Sequence, residues 1–280
     1  MSGKSPSSPM SAALDLSGGQ PSVPHVSMKS GKVWTFGSTA LKIAGLAVFA
    51  FLLFGPLANL ALWSVAERWY TPFKLPVSYG LRYWEVVFRP TGDAMSSLAT
   101  SVTIACLTVL VALAVSIPSG YALARLRLPW RTALMILFLL PQAFPSVAIY
   151  INVARVFYSI GLSGTITGVV LVHAAHGLVY SVWIAAAAFA AVDRDLELAA
   201  PGIMASAIFV FLESLDEFTG TFFVGVPQVT TLPLLLYNAS MGGNYQIASI
   251  TALILLVPSV VFMIVIERFL KADVLSKVGQ

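Results

Sequence analysis

Three carboxylates crowd the end of one hydrophobic run: Glu213, Asp216 and Glu217. Their i, i+3, i+4 spacing puts them on one face if the run is helical. An ionisable side chain at the centre of a bilayer-spanning helix costs on the order of 2.5–3.5 kcal/mol, and such residues mark solute pathways by default. A vestibule lined by these carboxylates would favour a cationic solute. The structural alternative is hydrogen bonding to loops, or pairing with Arg155. In the preceding run stand His173 and His176, at i, i+3. Together with Glu213 or Asp216 they offer ligands for a metal. Satisfied interhelical hydrogen bonds are the favoured alternative, so neither metal nor cofactor is expected. All five residues are candidates for lining a solute pathway. No H-E-x-x-H helix is present, and no Ser/His/Asp or Cys/His set stands out. An intramembrane metalloenzyme stays only as a rival class resting on the histidine pair.

These residues need hydrophobic elements to carry them, and the composition supplies little else. Hydrophobic types make up 58% of the 280 residues and charged types 10%, against about 25% charged in an ordinary soluble domain. So few charges cannot cover a water-facing surface of this size, so a lipid bilayer must act as solvent for much of the chain. A net charge of +4, with basic residues unclustered, excludes a nucleic-acid surface. The single cysteine, Cys106, lies in an apolar run and reads as a small apolar side chain.

A spanning helix needs about 20 mostly apolar residues. Six runs qualify, near 41–66, 98–124, 132–158, 165–192, 201–221 and 245–267, which predicts an all-α membrane protein with a six-helix bundle over 41–270. Pro141 and Pro145 sit one turn apart and predict a kink in the third run. Gly164-x-x-x-Gly168 and Ala185–Ala188 are small faces suited to packing inside the bundle. Residues 1–40 are dominated by Ser, Gly and Pro without apolar periodicity, and read as a disordered cytoplasmic tail. Residues 271–280 read as a second cytoplasmic tail.

Orientation follows from Lys and Arg. On one side fall Lys4, Lys29, Lys32, Lys42, Arg125, Arg127, Arg131, Arg194, Arg268, Lys271 and Lys277; on the other are Arg68, Lys74, Arg82 and Arg89. Both termini are therefore expected in the cytoplasm. The outer loop 67–97 is rich in aromatics, among them Trp69, Tyr70, Phe73 and Trp84, and suits an interfacial helix or a cap over the bundle. With no internal repeat visible, little favours a secondary transporter built on inverted halves, the other rival class.

Several segments in order look familiar. Gly120-Tyr121-Ala122-Leu123-Ala124-Arg125 with Pro129-Trp130-Arg131, Leu140-Pro141-Gln142, Gly161-Leu162-Ser163-Gly164-Thr165 and Pro201-Gly202-Ile203 resemble permeases of binding-protein-dependent (type I) ABC importers. Ser214-Leu215-Asp216-Glu217-Phe218 and Thr231-Leu232-Pro233 are most similar to the spermidine/putrescine-type branch. The resemblance implies a permease subunit in a bacterial inner membrane, not itself an enzyme, with a polyamine or related cation as the favoured solute. It also implies a second permease subunit, cytoplasmic ATPase subunits, and a periplasmic or lipid-anchored solute-binding protein. Leu16-Ser17-Gly18-Gly19-Gln20 matches the signature pentapeptide of transporter ATPases. However, Pro21 and Pro24 oppose the helix it would open, and no phosphate-binding loop exists, so no ATPase activity is expected.

The chain departs from this family's pattern at one place. The family signature, Glu-Ala-Ala, three residues, Gly and then Leu-Pro, lies in the cytoplasmic loop between the fourth and fifth spans. Here Glu197-Leu198-Ala199-Ala200 runs straight into Pro201-Gly202. Asp195, Glu197, Ala199 and Ala200 are the remnant of the loop that couples to the ATPase. A coupling helix of two to three turns takes about 8–11 residues plus flanking turns. The segment from Asp193 to Ala200 cannot hold it, and a shortened loop implies a weakened ATPase contact.

Overall fold

The computed structural model describes residues 33–90, 92–192 and 199–278. Helix α1 spans Val33–Ser64 and continues through Pro56. The chain divides into two units, residues 1–51 and 52–280. Helix α1 opens in the first, and every later element lies in the second. A short antiparallel ribbon comes next, β1 (Ala66–Arg68) with β2 (Ser78–Tyr79), then α2 (Arg82–Val87). Helix α3 runs over Asp93–Arg125, α4 over Arg131–Leu139, α5 over Ser146–Ser159 and α6 over Ile166–Ala191. Beyond it lie α7 (Ala200–Asp216), α8 (Thr219–Val224), α9 (Leu232–Met241) and α10 (Tyr245–Val278). The molecule is an all-α membrane protein with this one small ribbon among the described residues.

Among the described residues four helices are long and apolar enough to cross a membrane: α1, α3, α6 and α10. Their mean hydropathies are 2.1, 2.4, 1.7 and 2.6 in that order. The lowest belongs to α6, the most deeply buried of the four. A helix that faces protein rather than lipid can carry polar groups, and α6 carries both histidines.

The third expected span is more than kinked. Helices α4 and α5 meet at 94°, across a short 3-10 turn at Leu140–Ala143. Pro141 lies in that turn, and Pro145 immediately precedes α5. A proline disfavours the helical region for the residue before it, and Phe144 is extended at φ −106, ψ 147. Two prolines one turn apart thus remove the helical continuity that a single proline would only bend. The fifth expected span, 201–221, is also shorter than anticipated. It is 17 residues of α7, ending at Asp216, then a break and the short α8.

Helices α3 and α6 form the bundle's most extensive pair, and small residues make it possible. A Cβ on Gly120 would lie 2.7 Å from Ala185 Cβ and 2.9 Å from the Ala186 backbone nitrogen. Ala185 and Ala186 are buried and pack inside the bundle, while Ala187 of the same run is exposed. Gly164 does not contribute to such a face. It sits in the turn before α6 at φ +73, with Gly161 at φ +75. There the Thr165 hydroxyl caps α6 by accepting from Gly168 N at 2.9 Å.

The helix ends gather into two groups. The Arg125 guanidinium, at the end of α3, donates to the Val192 carbonyl just past α6. At the other group, Trp63 near the end of α1 lies 5.3 Å from the ring of Tyr245, which opens α10. Trp84 Nε1 of α2 donates to the Ser64 carbonyl at 2.8 Å. The aromatic loop therefore closes over one end of the bundle.

Candidate functional site

Helix α6 presents its two histidines to different partners. His173 is buried, with Nδ1 2.8 Å from Ser214 Oγ and Nε2 2.9 Å from Thr221 Oγ1. It ties α6 to both α7 and α8. One turn on, His176 Nε2 lies 2.8 Å from Glu213 Oε1, and its Nδ1 lies 3.3 Å from the Tyr150 hydroxyl. A carboxylate only accepts, so Nε2–H donates to Glu213 and, in the neutral ring, Nδ1 accepts from Tyr150. This chain of bonds links α5, α6 and α7. The His176 and Glu213 side chains keep 22% and 33% of their surface, so water or a solute can reach them.

The shared carboxylate face forms only in part. Glu213 and Asp216 belong to α7, but the helix stops at Asp216 and Glu217 is extended at ψ 104. The Glu217 carboxylate reaches forward and accepts from Gly220 N at 2.7 Å. A helix start has unpaired N–H groups and a partial positive charge, so the break in the fifth segment draws this carboxylate out of line. A Cβ on Gly220 would lie 3.5 Å from Glu217 Oε1 and 3.6 Å from Tyr150 Cζ, which places the phenol beside that cap. No ion pair among the described residues involves Arg155, which is exposed on α5; the anticipated pairing is not made.

Glu213 and Asp216 line a groove of about 470 Å³ on the flank of the bundle. Its walls come from Leu57 and Leu60 of α1, Phe209 and Leu212 of α7, and Leu253 and Ser259 of α10. His176 and Tyr150 line a second, largely apolar cavity of about 330 Å³ beside the α4–α5 break, with Gln142 and Ser146. The five sequence-derived candidates thus separate into three roles. Glu213, His176 and Asp216 reach open space, Glu217 caps a helix, and His173 is locked between hydroxyls. Among the described residues no group of three or more His, Cys, Asp or Glu could hold a metal ion.

Tyr150, Ser214 and Thr221 complete the network and did not stand out in the sequence. Tyr150 is 26 positions from His176, and Thr221 is 48 from His173. Helical spacing carries no signal across such separations. Of the coupling-loop remnant, Asp195 and Glu197 lie outside the described residues. Ala199 is buried and N-caps α7, and Ala200 is its first residue.

The chain is similar to permease components of ABC transporters. It is 29% identical to a protein named as an ABC transporter permease, ORF1, of Streptomyces antibioticus, over 65% of this chain and 88% of that one. It is 26% identical to the trehalose transport system permease SugB of Mycobacterium tuberculosis, over 68% and 78%. It is 30% identical to GgtD of Synechocystis, an uptake permease for osmoprotective compounds, over 64% and 57%. These relatives are transport permease subunits, not enzymes. No protein-family model matches the chain.

Proposed function

We propose that residues 41–270 form one of two permease subunits of an ATP-driven importer. Six crossings would place both termini in the cytoplasm of a bacterial inner membrane. Four would be α1, α3, α6 and α10, one the broken α4–α5 pair, and one α7. The observation that carries this reading is the position of Glu213 and Asp216. They open onto a groove on the bundle's flank, not into its core. Lipid there would leave the Asp216 carboxylate without a partner, at a cost of several kcal/mol. A second permease subunit across the groove would enclose them in a polar pathway instead. A cytoplasmic ATPase and a solute-binding protein outside the membrane complete the assembly, by analogy with the relatives.

The solute that fits best is small, polar and uncharged overall, such as a sugar or polyol. Glu213 is engaged by its hydrogen bond from His176, and Glu217 is engaged at Gly220. That leaves the exposed Asp216 as the one uncommitted carboxylate of the three, able to accept from two neighbouring hydroxyls. Of the relatives' named substrates, trehalose points the same way. A polyamine is the second reading and rests on Asp216 alone. The test is competition for uptake by the assembled transporter between trehalose and spermidine. Trehalose should compete and Asp216→Asn should weaken it. Competition by spermidine, with trehalose inert, would restore the cationic reading.

A further inference from the structure

Trp130, between α3 and α4, is the one non-glycine residue with positive φ among the described residues, at φ 69. The left-handed region crowds the Cβ of any L residue, and a bulky aromatic is an outlier there. The side chain gains little within the chain to offset that strain. Trp130 N-caps α4 without a side-chain hydrogen bond, and it is 81% exposed. Arg127 and Arg131 flank it, both exposed, and no ion pair among the described residues engages either. Arg125, by contrast, is occupied with the Val192 carbonyl. Beyond the turn, α4 buries none of its residues, and Leu134, Ile136 and Leu137 are exposed along it. Those side chains belong in the acyl region, which sets the turn at the boundary between acyl chains and headgroups. Indoles settle at that level, and guanidiniums pair with phosphate oxygens in bidentate fashion.

We propose that the turn Leu126–Arg131 binds anionic phospholipid headgroups, with the Trp130 indole wedged at the interface and Arg127 and Arg131 on phosphate. The contact seats α4, the half-span before the 94° break, at a fixed depth. It rests on the chain being a membrane protein and is independent of the solute and of ATPase coupling. The strained backbone is what aims the indole outward.

The test uses the full chain in phosphatidylcholine nanodiscs with and without phosphatidylglycerol. Phosphatidylglycerol should raise the melting temperature of the unaltered chain, and the rise should disappear in R127Q/R131Q and shrink at high salt. Trp130→Gly separates anchoring from local structure, because glycine adopts positive φ without strain. A turn with no lipid role becomes more stable in both discs with this change. An anchor loses its dependence on phosphatidylglycerol. Brominated lipid should quench Trp130 in a chain whose other five tryptophans are phenylalanine. A melting shift retained in R127Q/R131Q would overturn the proposal. So would a full phosphatidylglycerol-dependent shift retained in Trp130→Gly, or protection of the turn from modification by added ATPase subunit but not by phosphatidylglycerol.

Discussion

His173 and Asp216 answer to opposite demands. His173 satisfies two buried hydroxyls at once, on Ser214 and Thr221. Replacing it with alanine strands the Ser214 hydroxyl, leaves Thr221 only its long bond to the Glu217 carbonyl at 3.4 Å, and opens a cavity. A buried polar group without a partner costs about 1–3 kcal/mol, so His173→Ala should lower the melting temperature of the detergent-solubilised chain clearly. Asp216 is exposed and makes no ion pair among the described residues. Asp216→Asn should therefore stay within about 0.5 kcal/mol of the parent, with its effect confined to solute uptake. His176→Gln offers a third case. Glutamine can still donate to Glu213 but cannot keep the Tyr150 contact in the same geometry, so uptake should change more than stability. Equal losses of stability at all three positions would mean that the carboxylate groove is structural. The sequence marked these residues by type, since ionisable groups in apolar runs are conspicuous. It could not sort them, because the sorting depends on where α7 ends and on hydroxyls that lie 41 and 48 positions from His173 along the chain.

Helices and their breaks decide how the site is presented. The apolar runs were legible because a bilayer imposes length and composition on anything that crosses it. The breaks were legible only in part. Pro141 and Pro145 announced one of them, though not its 94° angle. The break after Asp216 has no proline or glycine at it, and the cap of Glu217 on α8 appears only once the chain is folded. Close helix approach is the other property at this scale. Gly120→Ala would push a Cβ to within 2.7 Å of Ala185 Cβ and 2.9 Å of backbone in α6. Backbone cannot step aside as a flexible side chain can. Overpacking of this kind costs about 1–3 kcal/mol, and a thermal melt of G120A should show it. An unchanged melt would mean that α3 and α6 pack less tightly than these distances require.

At the scale of the whole molecule, orientation and energy source have to be joined to the fold. In the orientation proposed from the charge bias, residue 78 lies outside and residue 276 inside. Ser78→Cys and Ser276→Cys, each in a Cys106→Ser background, should react with an impermeant thiol reagent from opposite faces of the membrane; labelling of both from outside in sealed cells would contradict the six-crossing arrangement. The short connection between α6 and α7 bears on coupling, since a driven switch needs a contact that differs between its states. We expect weak ATPase stimulation by the unaltered chain, and recovery when a family-type segment is inserted between Ala200 and Pro201. Above all, a partner's ATP hydrolysis should be what drives solute through this chain. The most direct measurement is trehalose uptake into cells carrying the permease pair, the ATPase and the binding protein, with the chain used both unaltered and with that insertion. Uptake through the extended chain should persist when an ionophore collapses ion gradients and stop when the ATPase is hydrolysis-dead. Uptake that follows the ion gradient and ignores the ATPase would contradict an ATP-driven importer.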